Sequence, residues 1–322
     1  MAEDRSGDVI VVGSGVIGLT TALVLAESGR RVRIWTREPA ERTTSAVAGA
    51  LWWPYAIEPR ELAREWALQS LSVYEELAAR PGETGVRMVE GVMGEARLDE
   101  QGPWAAARLP GLRASTAEEY AGSGLWARLP LIDMPVHLGW LRARFLRAGG
   151  TVESRVVTDL SEARAEAPVV VNCTGLGARE LVADPAVRPV RGQLVIVENP
   201  GIRTWLVSTD AVAGTTTYLF PQPGRLVLGG TTDDGDWSLE PDPVMAAEIV
   251  ARCAVLRPEV AGARVLGHRV GLRPVRSAVR LERGAWAGGG GGGVLVHNYG
   301  HGGGGVTVAW GCAGVVLGLV AA

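Results

Sequence analysis

The first 35 residues alternate between short hydrophobic runs and a stretch in which hydrophobic residues recur at helical spacing. Residues 9–12 are Val-Ile-Val-Val, a run typical of a strand buried on both faces of a parallel sheet. Residues 19–26 place leucine and alanine at helical spacing, and Gly29 follows as a helix end. Residues 31–35, Arg-Val-Arg-Ile-Trp, predict a second strand. The chain is therefore predicted to begin with a strand–helix–strand unit.

Hydrophobic patterning predicts further helices and strands in the rest of the chain. The apolar stretch 308–322 predicts a buried helix, because it is shorter than the roughly 20 residues that span a bilayer. Residues 86–130 predict short strand-like pieces between turns, and the glycine run 288–293 predicts a flexible hairpin loop. The other predicted helices are 58–79, 134–148 and 243–256, and the predicted strands are 152–157, 169–171, 193–197, 217–220, 225–228 and pieces around Val279 and Val294.

The composition excludes several functional classes. The chain has 322 residues, 47% of them hydrophobic, so two cooperating domains are expected. A net charge of −3 without a basic stripe argues against nucleic-acid binding, because phosphate neutralisation requires clustered cations. All 32 basic residues are arginines, which excludes chemistry that needs a Schiff-base lysine or the lysine of a phosphate-binding loop.

Cysteine and histidine usage predicts a reduced protein without a metal centre. Cys173, Cys253 and Cys312 are far apart and odd in number, which argues against a disulfide framework or a zinc site. The four histidines have too few soft partners to build a metal site. The polar residues 2–8 lack the pattern of a signal peptide, so a cytoplasmic protein outside the membrane is expected.

A glycine-rich motif lies between the first predicted strand and helix, Gly13-Ser14-Gly15-Val16-Ile17-Gly18. Its G-x-G-x-x-G spacing in this context is typical of a dinucleotide-binding turn. Gly13 permits the tight turn, Gly15 lets the backbone approach a pyrophosphate, and Gly18 allows close packing of helix on strand. An acidic residue that contacts a ribose is expected about 20 positions on, where Arg37 and Glu38 are the candidates.

Three further segments are candidates for contact with a nucleotide cofactor. Thr43, Thr44 and Ser45 offer hydroxyl groups and amides to phosphate. Residues 48–55 place small residues beside aromatic ones, an arrangement that suits a planar ring. Residues 297–307 put a second series of glycine amides at a helix N-terminus. Two such sites at opposite ends of the chain imply a long cofactor, although each segment alone is as consistent with an ordinary turn.

Taken together, these motifs resemble those of the D-amino-acid oxidases, which belong to the FAD-dependent oxidoreductases. Glycine and sarcosine oxidases share the first motif, but not the pair formed by Gly-Leu-Arg-Pro-Val-Arg at 271–276 and His-Asn-Tyr-Gly-His-Gly-Gly at 297–303. The matching segments follow the family order from end to end: 13–18, 43–45, 48–55, 171–175, 218–221, 229–230, 271–276 and 297–307.

The resemblance implies an α/β fold in which a Rossmann-like FAD-binding domain is interleaved with a mixed-sheet α+β substrate-binding domain. The FAD-binding domain is expected to comprise residues 1–55, 130–185 and 266–322, and the substrate-binding domain residues 56–129 and 186–265. The FAD is expected to be noncovalent, because no His or Cys lies in a recognised flavinylation motif. The residues expected to bind it are Gly13, Ser14, Gly15, Val16, Ile17, Gly18, Arg37, Glu38, Thr43, Thr44, Ser45, Gly49, Ala50, Leu51, Val156, Thr174, Gly175, Gly302, Gly303, Gly304, Gly305, Val306 and Thr307.

The resemblance also implies a substrate site without a side-chain general base. Arg273 matches the family arginine that pairs with the substrate carboxylate, which a guanidinium holds through two parallel hydrogen bonds. Tyr218 matches the tyrosine whose hydroxyl shares that carboxylate, and the carbonyl of Gly303 matches the acceptor of the substrate amine. The pocket for the substrate side chain is expected to be lined by Leu51, Trp53 and Phe220.

The implied activity is oxidative deamination of a D-amino acid. Hydride transfer from Cα to flavin N5 gives an imino acid that hydrolyses to a 2-oxo acid and ammonia, and dioxygen reoxidises the flavin with release of hydrogen peroxide. Neutral, mainly apolar substrates are expected, because D-aspartate oxidases carry extra arginines where this chain has Ala211 and Thr232. Asp233 and Asp234 would repel a second carboxylate if they faced the pocket.

The chain departs from the family at a few positions. Gly214 stands where animal members carry a lid tyrosine, so a movable aromatic lid is not expected. Trp53 stands where a polar residue is common and is equally consistent with a core position. The C-terminus lacks a Ser-Lys-Leu address, as expected of a cytoplasmic enzyme.

Other functions of the same fold stay open on the sequence. They are an amino-acid dehydrogenase, a glycine- or sarcosine-type amine oxidase, and a non-catalytic FAD-binding redox sensor. The expected partners are a small D-amino acid and dioxygen, with a homodimer as a compatible assembly.

Overall fold

Strands and helices alternate at the start of the chain, and long strands dominate its second half. The computed structural model describes residues 8–54, 57–109, 111–210, 215–286 and 292–321. The strands are β1 (Asp8–Val12), β2 (Arg31–Thr36), β3 (Val86–Gly94), β4 (Arg113–Ala114), β5 (Gly124–Ile132), β6 (Thr151–Ser154), β7 (Val169–Asn172), β8 (Arg188–Val197), β9 (Trp205–Asp210), β10 (Thr215–Gln222), β11 (Arg225–Gly229), β12 (Asp233–Asp234), β13 (Val265–Gly284) and β14 (Val294–His301). The α-helices are α1 (Val16–Glu27), α2 (Arg60–Leu77), α3 (Pro81–Thr84), α4 (Pro103–Arg108), α5 (Met134–Arg147), α6 (Ser161–Glu166), α7 (Ala178–Leu181), α8 (Pro243–Leu256) and α9 (Gly305–Ala321).

The parallel half of the sheet consists of β6, β2, β1, β7 and β14, in that order. Residues 9–12 of β1 are buried, and Ile10 pairs with Arg33 of β2 on one edge and with Val170 of β7 on the other. Alternate residues of β1 pack into hydrophobic clusters on the two faces of the sheet. A strand covered on both faces must be apolar throughout, and the predicted strand–helix–strand unit is confirmed.

The 20-residue strand β13 joins this parallel half to a mostly antiparallel half. β13 pairs antiparallel with β14 on one edge and with β8 on the other, which places Arg273 opposite Val190. The sheet then continues through β8, β11, β10, β9, β3, β5 and β4, with β3 and β9 parallel. The predicted α/β class with a mixed sheet is confirmed. The domain boundaries stay a prediction, since hydrogen bonding runs through both halves.

The terminal helix α9 is apolar because it lies in the core between α1 and α2. Cys312, Ala313 and Val316 are fully buried, as predicted for a buried helix. By length and composition alone, the segment Gly302–Ala321 would also pass for a membrane-crossing helix, with 61% of its apolar stretch buried inside the protein.

The structure corrects several predicted boundaries. Residues 86–130 contain not only short pieces but also β3 and β5, nine-residue strands paired along their whole length. β6 ends at Ser154, before the predicted end at 157. Gly300 belongs to β14, which ends at His301. Between β14 and the start of α9 at Gly305 lies the 3₁₀ turn Gly302–Gly304. The glycine run 288–293 connects the antiparallel strands β13 and β14, and most of it lies outside the described residues.

Gly311 of α9 should not tolerate a side chain. A Cβ there would overlap the backbone of Trp66 in α2, whereas a Cβ on Gly318, on the exposed face of α9, would have no atom within 4 Å. We expect Gly311→Ala to lower the free energy of unfolding by about 1–3 kcal/mol, because helix backbones must separate. Gly318→Ala should be neutral or stabilising, because alanine favours helix over glycine. Thermal unfolding of both variants checks this, and equal melting temperatures would contradict it.

Candidate active site

Two glycines after β1 allow backbone segments to meet without side chains between them. Gly13 has a φ of 111°, a conformation that favours glycine, and a Cβ there would lie 2.5 Å from the carbonyl oxygen of Cys173. A Cβ on Gly18 would overlap the carbonyl oxygen of Gly13. The turn after β1, helix α1 and the segment after β7 therefore pack together only because these positions are glycine.

The N-terminus of α1 lies at the edge where the parallel strands end. Gly15 is the N-cap residue, and Ser45 Oγ accepts a hydrogen bond from the amide of Val16 at 3.0 Å. The atoms nearest to a Cβ on Gly15 would be the hydroxyl oxygens of Ser45 and Thr43, at 3.1 and 3.9 Å. The other amides at this helix end, together with the helix dipole, suit an anion.

A second helix N-terminus lies beside the first. α9 begins at Gly305 after the turn Gly302–Gly304, and a Cβ on Gly305 would lie 3.8 Å from Ile17 Cδ1 of α1. Gly302 has a φ of 54°, in the left-handed region. The glycine-rich segments at the two ends of the chain therefore converge, as one long cofactor requires.

Several hydroxyl groups predicted to contact the cofactor form hydrogen bonds within the protein. Ser14 Oγ donates to the carbonyl of Glu38 at 3.0 Å, and Thr44 Oγ1 donates to the carbonyl of Leu272 at 3.1 Å. Thr43 Oγ1 donates at 2.7 Å to the carbonyl three residues before it. The bonds of Ser14 and Thr44 connect residues 38–45 with the glycine turn and with β13.

Arg37, Glu38 and Val156 lie beyond the ends of the neighbouring strands β2 and β6. Arg37 and Glu38 form an ion pair at 3.8 Å, and Val156 is 61% exposed. The amide of Arg155 donates to the carbonyl of Thr36 at 2.8 Å, so the two segments are adjacent. This is the edge at which a ribose lies in a dinucleotide fold, and the role of these three residues stays a prediction.

The segment after β7 connects the glycine turn with β13. Thr174 Oγ1 donates to Asn172 Oδ1 at 2.7 Å. Gly175 has a φ of 57°, and a Cβ on it would lie 3.6 Å from Pro274. Thr174 and Gly175 therefore sit between the predicted pyrophosphate site and the strand that carries Arg273.

Arg273 lies on β13, beside the glycine turn that precedes α9. Its Nη1 donates to the carbonyl oxygens of Thr231 at 2.9 Å and of Arg191 at 3.3 Å. A Cβ on Gly303 would lie 3.5 Å from its Cδ, and a Cβ on Gly192 would lie 2.6 Å from its Cζ. Among the ion pairs that the described residues form, none involves Arg273. The guanidinium is therefore held by backbone carbonyls and keeps its charge for an external anion.

Tyr218 on β10 places its phenol beside Arg273. Its ring stacks on Phe220 with centroids 4.7 Å apart, and a Cβ on Gly230 would lie 2.8 Å from its hydroxyl oxygen. Burial raises the pKa of Tyr218, and the charge of Arg273 and a hydrogen bond with it oppose the rise. The phenol is protonated at neutral pH, so it can donate to a carboxylate that Arg273 binds.

Phe220 and residues 49–51 form one apolar wall next to Tyr218. Phe220 is buried, and a Cβ on Gly49 would lie 2.6 Å from its ring. The carbonyl of Ala50 accepts from the amide of Ile132 at 3.0 Å, and the half-buried Leu51 continues this pairing toward β5. Phe220 therefore packs against the segment that carries the other predicted pocket residue, Leu51.

Trp53 is half-buried and is tied to the start of α9. Thr307 Oγ1 donates to the carbonyl of Trp53 at 3.0 Å, and the neighbouring Val306 carbonyl accepts from the hydroxyl of Tyr74 at 2.7 Å. The Trp53 ring lies 6.3 Å from that of Trp104 on α4. Thr307 and Val306 therefore bind protein groups that fix where α9 begins.

Two buried histidines of β14 add no charge to the site. His297 and His301 are 2% and 4% exposed. Burial lowers the pKa of His297 to about 4 and that of His301 to about 3. Both rings are neutral at neutral pH, so they do not compete with Arg273 for an anion.

Three residues at this site were not singled out from the sequence. The carbonyl of Thr231 binds Arg273, Gly192 leaves space for the guanidinium, and Gln222 Nε2 donates to the carbonyl of Gly49 at 3.0 Å. A glycine inside a predicted strand, such as Gly192, is a sequence indication of close approach by another group. The approaching group is distant in sequence and is known only from the fold.

Asp233 and Asp234 are paired with arginines, which removes one argument for neutral substrates. Asp233 Oδ2 lies 3.2 Å from Arg191 Nη1, and Asp234 Oδ1 lies 2.8 Å from Arg188 Nε. Their charges are compensated there, so they do not supply the repulsion expected from the sequence. The predicted positions that lie outside the described residues are Tyr55, Ala211 and Gly214.

The described residues fit a dinucleotide such as FAD. The turn at Gly13 and Gly18 has no space for side chains, and two adjacent helix N-termini provide backbone donors for a pyrophosphate. Residues 13–18 and 302–305 would hold the phosphates, and residues 49–51 would lie along a planar ring. The donor set is backbone amide, which is the set that a pyrophosphate needs.

Comparison with known proteins agrees with this geometry. The family described as DAO, FAD dependent oxidoreductase, matches residues 8–318. The D-amino-acid oxidase of Streptomyces coelicolor is 74% identical over 97% of this chain and 96% of its own length. The D-amino-acid oxidase of Rubrobacter xylanophilus is 48% identical over 94% and 93%, and the D-aspartate oxidase of Homo sapiens is 34% identical over 95% and 92%.

Among solved structures, the glycine oxidase from Geobacillus kaustophilus has a TM-score of 0.79 to this chain. The match covers 98% of this chain and 94% of that one, at 22% sequence identity. At 22% sequence identity, this similarity shows a shared fold and carries no statement about activity.

The buried histidine His301 should make the protein sensitive to acid. In the unfolded chain a histidine has a pKa of about 6.5, whereas burial lowers the pKa of His301 to about 3. As the pH falls below about 6.5, the unfolded chain binds a proton that the folded protein does not, so stability decreases by about 1.4 kcal/mol per pH unit. Urea unfolding gives the free energy of unfolding at each pH. Between about pH 6 and 5, the slope of this free energy against pH should be smaller in His301→Gln than in the wild type, by about 1.4 kcal/mol per pH unit. An unchanged slope would contradict the assignment.

Proposed function

This chain belongs to the DAO family of FAD-dependent oxidoreductases, and on that premise we propose that it is a D-amino-acid oxidase. It is an FAD-dependent enzyme that oxidatively deaminates D-amino acids to 2-oxo acids and ammonia.

One observation carries the proposal: Arg273 is a half-buried guanidinium that pairs with no carboxylate among the described residues. Its Nη1 is held by two backbone carbonyls, and the phenol of Tyr218 lies beside it. A cation placed in this way can bind an external carboxylate through charge-assisted hydrogen bonds.

The protein's own groups would bind and orient an amino acid. The free nitrogens of Arg273 hold the carboxylate, and Tyr218, protonated at neutral pH, donates to the same group. The carbonyl of Gly303, next to the Arg273 side chain, accepts from the substrate amine. With carboxylate, amine and side chain all fixed, only one enantiomer directs its Cα hydrogen toward the cofactor, and the proposed enantiomer is the D-form.

When bound, FAD supplies the two-electron oxidation of the Cα–N bond and passes the electrons to dioxygen, which yields hydrogen peroxide.

The side chain of the substrate would meet an apolar wall. Phe220, Leu51 and Trp53 are buried or half-buried, and Phe220 stacks on the tyrosine that faces the carboxylate. A second carboxylate would lose its hydration against this wall without gaining a partner, and that loss disfavours it. Neutral, mainly apolar D-amino acids are therefore the proposed substrates.

We predict that the protein purifies yellow, with FAD that is released when the protein is precipitated with acid or heat. Cys173, Cys253 and Cys312 are buried free thiols whose pKa burial raises, so none offers a reactive thiolate for a flavin bond. The absorbance spectrum of the supernatant checks this. Flavin retained in the precipitate, or a colourless protein that FAD does not reconstitute, would contradict it.

Replacing Arg273 with alanine should abolish most activity while the flavin spectrum is retained. The change removes hydrogen bonds to a charged group, each worth about 1.5–3 kcal/mol, and releases the orientation of Cα. Arg273→Lys should restore little, since an ammonium cannot reproduce the planar fork. The control is Arg269→Ala, an exposed arginine of the same strand that bonds its neighbouring carbonyl. Near-normal kcat/KM in Arg273→Ala would remove the residue from the site.

Steady-state kinetics should give a higher kcat/KM for D-valine and D-methionine than for D-aspartate. The physical reason is the uncompensated second carboxylate of D-aspartate against Phe220 and Leu51. Peroxide and oxo-acid formation under air are the measurements, and they also separate an oxidase from a dehydrogenase. A higher kcat/KM for D-aspartate would show that another cation reaches the pocket.

A further inference from the structure

Arg273 is oriented by a hydrogen-bond network that reaches through the sheet to its opposite face. Its Nη1 binds the carbonyls of Thr231 and Arg191, at 2.9 and 3.3 Å. Because one nitrogen carries both contacts, the directions of these carbonyls determine where the rest of the guanidinium points. The groups that fix the carbonyl of Thr231 therefore matter for the substrate site.

The hydroxyl of Thr231 has both a donor and an acceptor partner inside the protein. Thr231 is 8% exposed, its Oγ1 accepts from the amide of Gln193 at 3.0 Å, and it donates to Asp233 Oδ2 at 3.0 Å. Thr231 lies just before β12, in a segment that belongs to no helix or strand. These two hydrogen bonds fix its side chain there. Its carbonyl is held by them in the direction of Arg273.

The side chain of Arg191 holds Asp233 on the face of β8 that is opposite to Arg273. Its side chain is 6% exposed and lies 3.2 Å from Asp233 Oδ2, and its Nη2 donates to Gln193 Oε1 at 2.9 Å. Since side chains alternate along β8, Arg191 and Gln193 point away from the face on which Gly192 leaves space for Arg273. The anchor is thus formed by residues that do not face the substrate.

We propose that Thr231, held by Asp233 and Arg191, is a positioning residue that directs Arg273 toward the substrate carboxylate. This rests on the proposed function of Arg273, and it assigns a positioning role to residues that act on the substrate only through Arg273. Removing the hydroxyl of Thr231 releases its carbonyl and lets the guanidinium rotate, which weakens carboxylate binding.

The test compares Thr231→Val, which keeps the shape and removes the hydroxyl, with Thr231→Ser, which keeps the hydroxyl. The FAD-containing proteins are titrated with benzoate, a carboxylate without an amine, by calorimetry. Thr231→Val should raise the Kd for benzoate about 10- to 100-fold, the range expected when one hydrogen bond to a charged group is lost. Thr231→Ser should bind like the wild type. KM for D-valine should rise in parallel in Thr231→Val, with a smaller change in kcat and an unchanged flavin content.

A second pair of variants covers the case in which Thr231→Val does not fold. Asp233→Ala removes the anchor of Thr231 and should raise the Kd for benzoate. Asp234→Ala is the matched control, because its carboxylate pairs with the exposed Arg188 at 2.8 Å, outside the network. Asp234→Ala should bind benzoate like the wild type.

Three results would overturn the proposal. The first is wild-type benzoate affinity in Thr231→Val. The other two are an equal loss of benzoate affinity in Thr231→Ser and Thr231→Val, and an equal loss of benzoate affinity in Asp233→Ala and Asp234→Ala. A wild-type protein that binds benzoate but oxidises no D-amino acid would instead overturn the proposed function, since the binding ratios between variants do not depend on turnover.

Discussion

The close approach of backbone at the end of β1 is the constraint on which the rest of the structure depends. The carbonyl of Gly13 lies where a side chain on Gly18 would be, and Gly13 itself abuts the carbonyl of Cys173 after β7. These contacts set the angle at which α1 leaves the sheet, and α1 in turn supports α9 through Ile17. Because no side chain intervenes between these backbone segments, backbone amides at both helix ends can approach the pyrophosphate of a dinucleotide.

The strand β13 brings Arg273, the proposed substrate-binding arginine, to this edge of the sheet. A single strand that pairs with β14 of the parallel half and β8 of the antiparallel half places Arg273 beside both the turn before α9 and Tyr218 on β10. The distance between cofactor and substrate groups is therefore set by strand register, which a rigid sheet holds better than a loop does.

The positive charge of the site belongs to an arginine that has no carboxylate partner among the described residues. Asp233 and Asp234 are bound to Arg191 and Arg188, and burial keeps His297 and His301 neutral. Arg273 donates to backbone carbonyls, lies beside the phenol of Tyr218 and pairs with no carboxylate among the described residues. A carbonyl fixes a guanidinium in place without neutralising it, so the charge stays available for a ligand.

The sequence by itself determined the strand–helix–strand start, the buried terminal helix and the family, because local hydrophobic periodicity and glycine spacing report the packing of neighbouring residues. It also identified Arg273 and Tyr218 through the resemblance. It offered the hydroxyl groups of Thr43 and Thr44 to a phosphate without showing that both donate to carbonyls within the protein, and it left Asp233 and Asp234 as candidates for the pocket. Only the tertiary structure showed that Arg273 pairs with no carboxylate among the described residues, that Gly192 leaves space for its guanidinium and that the carbonyl of Thr231 binds it. Such pairings join residues 42 or more positions apart across strands, and no local pattern encodes the partner of a side chain whose neighbours are set by sheet topology.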